Sequence, residues 1–231
     1  MKKIIAVIFI VMTLAGLSAC RSKGDDFAFD GAKAYSEGRY AEAVELFNKA
    51  SDSGLSEYKQ FELDLMLAES YLKIGNFEEA IVVADKVISE NTLSGVYRAL
   101  NIKGVAQKNL EMYDEALATF TEALAFDQYD IDSVALYNNI GNLYISMNKP
   151  LEALEYLNQA LFLNPDFADT YGNIAIAYAI LFDFDSAEAA LADGEIKGYT
   201  KVAEVQAIID KYRGFEDFVA TSVVTTTEVT E

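Results

Sequence analysis

Apolar positions along the 231 residues follow three different patterns. Lys2 and Lys3 precede an apolar stretch from Ile4 to Leu17 that has no polar face. At fourteen residues it is shorter than the about 20 that span a bilayer, and it suits the apolar region of a signal peptide. From Phe27 to about residue 200, apolar residues keep helical spacing inside a longer period. Each copy carries an aromatic or Pro, any residue, usually Glu, then Ala. The copies are Tyr40-x-Glu42-Ala43, Phe77-x-Glu79-Ala80, Tyr113-x-Glu115-Ala116, Pro150-x-Glu152-Ala153 and Phe184-x-Ser186-Ala187. Their Ala positions stand 37, 36, 37 and 34 residues apart, the length of a helical hairpin with its turns. The third pattern is a single amphipathic segment. Val202, Val205, Ile209 and Tyr212 mark one face of a helix that is expected to end before Gly214. Residues 215–231, rich in Thr, Val and Glu towards their end, show no helical period and are expected to be a disordered tail. The Val-Val-Thr run within them leaves an edge strand open as the alternative.

The repeated residues have physical reasons to be what they are. Gly31, Ala68, Gly104, Gly141 and Ala175 are small and let the first helix of each pair approach the second. The five marker Ala residues do the same from the other side, because interior packing density leaves no room for more. Gly38 and Gly75 fall between helices, where a left-handed residue is needed. Glu42, Glu79, Glu115 and Glu152 occupy the first turn of the second helix and favour its positive dipole end. Pro150 suits the first helical position, and Pro165 closes a repeat. The longer spacings imply extra loop or longer first helices around 52–60, 90–96 and 127–133. One hairpin cannot bury its apolar face alone, so neighbours must stack, and the last helix caps the stack.

Composition removes most chemistries. There is no His, so a Ser-His-Asp triad and imidazole metal ligands are excluded. One Cys excludes an intrachain disulfide and a Cys-rich zinc site. A net charge of −19 would repel the phosphates of nucleic acid, which is not expected as a partner. No Gly-rich phosphate loop occurs. Asp127, Asp130 and Asp132 share one segment, but the central Gly and the final Glu of a calcium loop are missing, so a solvated, helix-capping loop is the simpler reading beside a metal site. Carboxylate pairs among 37 acidic residues are expected by chance. No catalytic, cofactor or metal site is expected, and the chain is read as a non-enzyme.

The only Cys stands in the sequence Leu17-Ser18-Ala19-Cys20. This resembles the lipobox of bacterial lipoproteins. The resemblance implies that residues 1–19 are removed and that Cys20 carries a diacylglycerol as the first residue of the mature chain. Two acyl chains anchor a protein stably, each CH₂ contributing about 0.8 kcal/mol. Plain secretory cleavage at a small-residue site is the alternative. Residues 20–26 then read as the lipidated Cys and a polar tether, in which Arg21 to Asp26 reach at most about 20 Å.

The hairpin pattern resembles the tetratricopeptide repeat. The fourth copy carries Tyr137, Ile140, Gly141, Tyr144, Ala153, Leu157, Ala160 and Pro165 at the motif positions. The fifth keeps Tyr171, Ile174, Ala175, Tyr178, Ala187 and Leu191. The third keeps Gly104, Ala116, Phe120 and Ala123 but has Lys103 and Gln107 where the motif is apolar or Tyr. The second has Leu67, Ala68, Tyr71, Ala80 and Val87, with Ala84 for the aromatic, and the first Phe27, Gly31, Ala43, Phe47 and Ala50, with departures at Asp30 and Ala34. The resemblance implies an all-α fold, a right-handed α-solenoid of five hairpins. They are expected at about 27–57, 61–94, 97–130, 134–167 and 168–201, followed by a capping helix over 202–214.

In that family a concave groove is lined by the first helix of each pair. Carried to this chain, the groove positions are Glu62, Leu65, Glu69 and Leu72, then Arg98, Asn101, Val105 and Lys108. Asn138, Asn142 and Ile145 follow, then Asp169, Ile176 and Ala179. Asn101, Asn138 and Asn142 offer donors and acceptors suited to a peptide backbone, or are simply solvated. The basic clamp that some family members close on a carboxylate is absent, since Leu65, Glu69 and Asn stand there. Arg98, Lys103 and Lys108 are the basic cluster of an acidic body, so the expected ligand is a peptide or protein segment, basic rather than acidic. The expected function is that of a lipid-anchored lipoprotein of the bacterial cell envelope, on the extracytoplasmic side, scaffolding or binding another protein. Similar architecture occurs in lipoproteins that assist outer-membrane barrel assembly and in pilus pilotins. A lipoprotein that holds a small solute or glycan in the groove is the alternative.

Overall fold

Ser22 opens the first helix. Its side chain accepts a hydrogen bond from the Asp25 amide, and the Asp25 carboxylate accepts one from the Ser22 backbone in return. This reciprocal capping satisfies two amides that a helix start leaves without partners. From there the chain builds hairpins. In the first unit, which ends at Met112, α1 (Lys23–Ser36) pairs with α2 (Tyr40–Ser53), and α3 (Gln60–Ile74) pairs with α4 (Phe77–Ser89). The unit closes with α5 (Leu93–Asn109), which packs on α3 and α4. The second unit opens with α6 (Tyr113–Ala125). It continues with α7 (Ser133–Ser146) against α8 (Pro150–Leu163), and α9 (Ala168–Ile180) against α10 (Phe184–Ile196). Its last helix, α11 (Val202–Thr227), covers α9 and α10. The computed structural model describes residues 22–56, 58–90, 93–126 and 133–227, and among them are eleven helices and no strand. The fold is all-α. No helix among the described residues is long and apolar enough to cross a membrane.

Close approach explains the small residues. The marker Ala43, Ala80, Ala116, Ala153 and Ala187 all have no exposed surface. A Cβ at Gly31 would lie 2.7 Å from the Phe47 ring, and one at Gly141 would lie 2.5 Å from Leu157. Gly38 and Gly75 turn the first two hairpins with φ of 76° and 83°. Glu111, Asn148 and Phe182 take the same left-handed conformation in later turns, with φ between 55° and 61°. The longer spacing before the third copy is absorbed by helix rather than loop, since α5 runs 17 residues from Leu93.

Two sequence expectations are corrected. The polar tether expected over residues 20–26 is helical from Lys23, and Asp25 within it is fully buried. The reason is local and chemical: Ser22 and Asp25 stand three residues apart, the spacing of a capping box. The helix expected to stop before Gly214 continues to Thr227, through residues 215–227 of the expected disordered tail. An interior Gly costs a helix only about 1 kcal/mol relative to Ala. Packing on both sides of it offsets that cost: Phe182 meets Tyr212 edge-on at 6.2 Å and stacks on Phe215 at 6.4 Å. Cys20, the leader before it and the segment of Asp127, Asp130 and Asp132 lie outside the described residues.

Candidate functional site

In the first unit, a chain of polar contacts crosses three first helices. The Tyr35 hydroxyl on α1 donates to Glu69 on α3 at 2.7 Å, and Arg98 on α5 donates to the other Glu69 oxygen at 2.9 Å. The Glu69 side chain keeps a quarter of its surface and that of Arg98 nearly half. Burial first, and the Glu69 charge second, push the Tyr35 hydroxyl well above the usual phenol range. The same face continues along α5 through half-buried Asn101, Val105 and Lys108. Desolvation holds the Lys108 ammonium below the usual lysine range. This arrangement offers carboxylate, guanidinium and carboxamide groups side by side, suited to recognising a polar chain rather than to moving electrons or protons.

In the second unit the corresponding face is built of carboxamides. Asn173 on α9 donates to Asn138 on α7 at 2.9 Å and accepts from Asn142 at 3.1 Å. A carboxamide has two donor hydrogens and an oxygen with two lone pairs, so these bonds orient the groups without exhausting them. Elsewhere in this unit Tyr144 on α7 stacks on Tyr156 on α8 at 5.4 Å, and burial raises the Tyr144 hydroxyl. Asn173 was not among the expected residues. Gly172 holds the carried-over position and has no side chain, so the next residue supplies the amide. The 35-residue separation of Asn173 from Asn138 is one more than the 34 residues between the fourth and fifth marker Ala, so it falls one position past the motif.

The expected residues separate into two kinds. Glu69, Arg98, Asn101, Val105, Lys108 and Asn142 keep surface on these faces, and Asn138 sits beneath its Asn173 bond. Ile145 is half-buried against the cluster of Ala153, Leu157, Ile174 and Ala177. Leu65 is corrected: at 1% exposure it belongs to the core with Ala68, Ala80 and Ala99 and offers nothing to a ligand. Ala179 is likewise fully buried. Lys103 pairs with Asp85 on α4 at 2.7 Å, so it ties α5 to the preceding hairpin.

Two family models of the tetratricopeptide repeat match this chain, one over residues 65–131 and one over 134–167. Photosystem I assembly protein Ycf3 of Synechococcus elongatus is 32% identical over 126 residues, covering 53% of this chain and 72% of that protein. The chain belongs to the tetratricopeptide-repeat family. Other members differ greatly in size, and the chain spans only 18% to 44% of the first curated relatives it matches. Among solved structures, the APC/C hetero-tetramer Cut9–Hcn1 superposes with a TM-score of 0.74 at 19% identity, over 92% of this chain and 40% of that one. The Rap protein complexed with Competence and Sporulation Factor gives 0.66 at 18% identity, over 81% and 56%. These two likenesses establish the tetratricopeptide-repeat fold.

The Tyr35–Glu69 contact predicts a pH dependence. The folded hydroxyl titrates above the unfolded one, whose pKa is about 10, so its stabilisation is complete below that pH and is lost as pH rises through the folded value. Tyr35→Phe is expected to lower stability by about 1 kcal/mol between pH 6 and 9. In denaturant titrations the gap to the parent should shrink above about pH 10. A gap that is constant to pH 11 or beyond would show that Glu69 does not hold this hydroxyl.

Proposed function

We propose that the chain is a lipid-anchored tetratricopeptide-repeat lipoprotein that binds a protein or peptide segment on the extracytoplasmic side of a bacterial membrane. One observation carries the binding half. In each unit, polar side chains from successive first helices are already bonded into rows: Tyr35, Glu69 and Arg98 in one, Asn138, Asn173 and Asn142 in the other. Preorganised groups lose little side-chain freedom on binding, which favours affinity. Proteins of similar fold hold other chains or factors, as the Cut9–Hcn1 and Rap complexes do by their titles. The anchor half rests on Leu17-Ser18-Ala19-Cys20 behind its apolar leader. Nothing in this reading requires a catalytic group, and the function is a scaffold's.

A photo-crosslinking amino acid at Arg98 or Asn142 tests the binding half in living cells. Adducts with a second protein are expected there and not at the exposed second-helix residues Lys49 and Gln159. Adducts confined to Lys49 and Gln159 would place binding on the opposite face and refute the proposal. A thermal shift produced by a small solute, with no adduct anywhere, would favour a solute-binding protein instead. For the anchor, Cys20→Ser should move the chain from the detergent phase to the aqueous phase in a phase-partition assay.

A further inference from the structure

The start of α1 is locked to the far end of its own hairpin. The buried Asp25 carboxylate accepts from the backbone amides of Ser22, Ser56 and Tyr58, at 3.2, 3.1 and 3.3 Å. It also accepts from the Ser22 hydroxyl at 2.8 Å and from the Ser56 hydroxyl. Ser22 lies 3.0 Å from the Gly54 carbonyl oxygen. Gly24 touches the same backbone so closely that a Cβ would fall 2.1 Å from the Gly54 oxygen. From Ser22 onward, therefore, the chain has no slack.

That rigidity limits how far the first unit can stand from an anchored Cys20. Only Arg21 separates Ser22 from Cys20, and two residues of extended chain reach about 7 Å. The 14 residues of α1 carry the chain about 21 Å to the turn at Gly38. The 15 residues of α3, starting beside the Ser56–Tyr58 loop, rise about 22 Å to Gly75. We propose that the anchored chain stands on the bilayer with one edge of its first unit against the phospholipid headgroups. That edge comprises Ser22, Asp52 to Gly54, and Tyr58 with Lys59. The turns at Gly38 and Gly75 point away from the membrane. The proposal rests on the lipid-anchor reading of Cys20. It gives the polar row a position as well: Tyr35 and Glu69 lie about 13–18 Å up their helices, clear of the headgroups. The edge itself carries exposed Lys23 and Lys59 beside Asp26 and Asp52, so the short covalent link sets the orientation, not charge.

The sequence lacks Trp, so any introduced Trp is a sole reporter. The full chain is purified from bacterial membranes and reconstituted in phosphatidylcholine vesicles whose headgroups carry a nitroxide quencher. Trp replaces one exposed residue at a time: Asp52→Trp and Lys59→Trp at the edge, Lys73→Trp and Glu78→Trp at the far turn. Quenching is expected to be at least twofold stronger at the two edge positions, on neutral and on anionic vesicles alike. Inserting about 20 Gly/Ser residues between Arg21 and Ser22, a coil with a mean span of about 25 Å, should level the four values. Equal or reversed quenching in chains whose mass shows a diacylglyceryl group on Cys20 overturns the orientation and leaves the anchor standing. Chains recovered without that mass overturn the anchor, and the orientation falls with it.

Discussion

Gly24→Ala is expected to loosen the first hairpin markedly. The new Cβ would meet the Gly54 carbonyl oxygen at 2.1 Å and the Ala50 carbonyl oxygen at 2.8 Å. Both are backbone atoms, which cannot rotate aside as a side-chain tip does. Overpacking of this kind costs about 1–3 kcal/mol or more, against a gain of about 1 kcal/mol from the better helix propensity of Ala. The movement that relieves the clash would also pull Ser22 from Gly54 and loosen the shell of donors around buried Asp25. A net loss of about 3 kcal/mol is the expected result, read as a fall of about 6–12 °C in the melting temperature of the whole chain. Gly214→Ala is the contrast. That residue is helical with open space around its Cβ position, so Ala should be neutral or stabilise slightly. Gly24→Ala melting with the parent would show that α1 does not rest on the end of α2 as described.

Phe47→Ala should destabilise by about 3–5 kcal/mol, the usual result of emptying an aromatic site in a closed core. Phe47 has no exposed surface and fills the space between Gly31, Ala28, Ala43 and Leu63. Gly31 and Phe47 are two halves of one fit, since a Cβ at Gly31 would lie 2.7 Å from the ring. Their effects should therefore not add. Gly31→Ala should cost clearly less on the Phe47→Ala background than on the parent, measured as the denaturant midpoint of each variant. Equal costs on the two backgrounds would mean that the ring and the glycine do not share the site.

The parts of the fold that were readable from the chain are those governed by local, repeated constraints. An Ala every 34 to 37 residues, with Gly or Ala opposite, specifies a hairpin because only one geometry lets two helices touch at those points. The capping box at Ser22 and Asp25 is equally local, although the segment reads first as a polar tether, and its reach is not local. Ser22-x-x-Asp25 says where a helix starts, but not that Asp25 also gathers the amides of Ser56 and Tyr58, more than thirty residues away. Gly214 shows the opposite error, since a local breaker was outweighed by Phe182 arriving from another part of the second unit.

The candidate site divides the same way. The first helices as the place for polar groups came from the family resemblance, while the amino-acid sequence by itself determined the hairpins, their order and the absence of His-based chemistry. Side-chain identity and spacing decide those matters, and both are written in one dimension. Only the tertiary structure decided which polar groups act together. Leu65 and Glu69 are four residues apart on one helix, yet one packs among Ala residues and the other joins Tyr35 to Arg98. Asn173 became part of the carboxamide row because α9 packs on α7 at that height. The rotation of a helix against its neighbours depends on every contact along it at once, and no single motif position carries that sum.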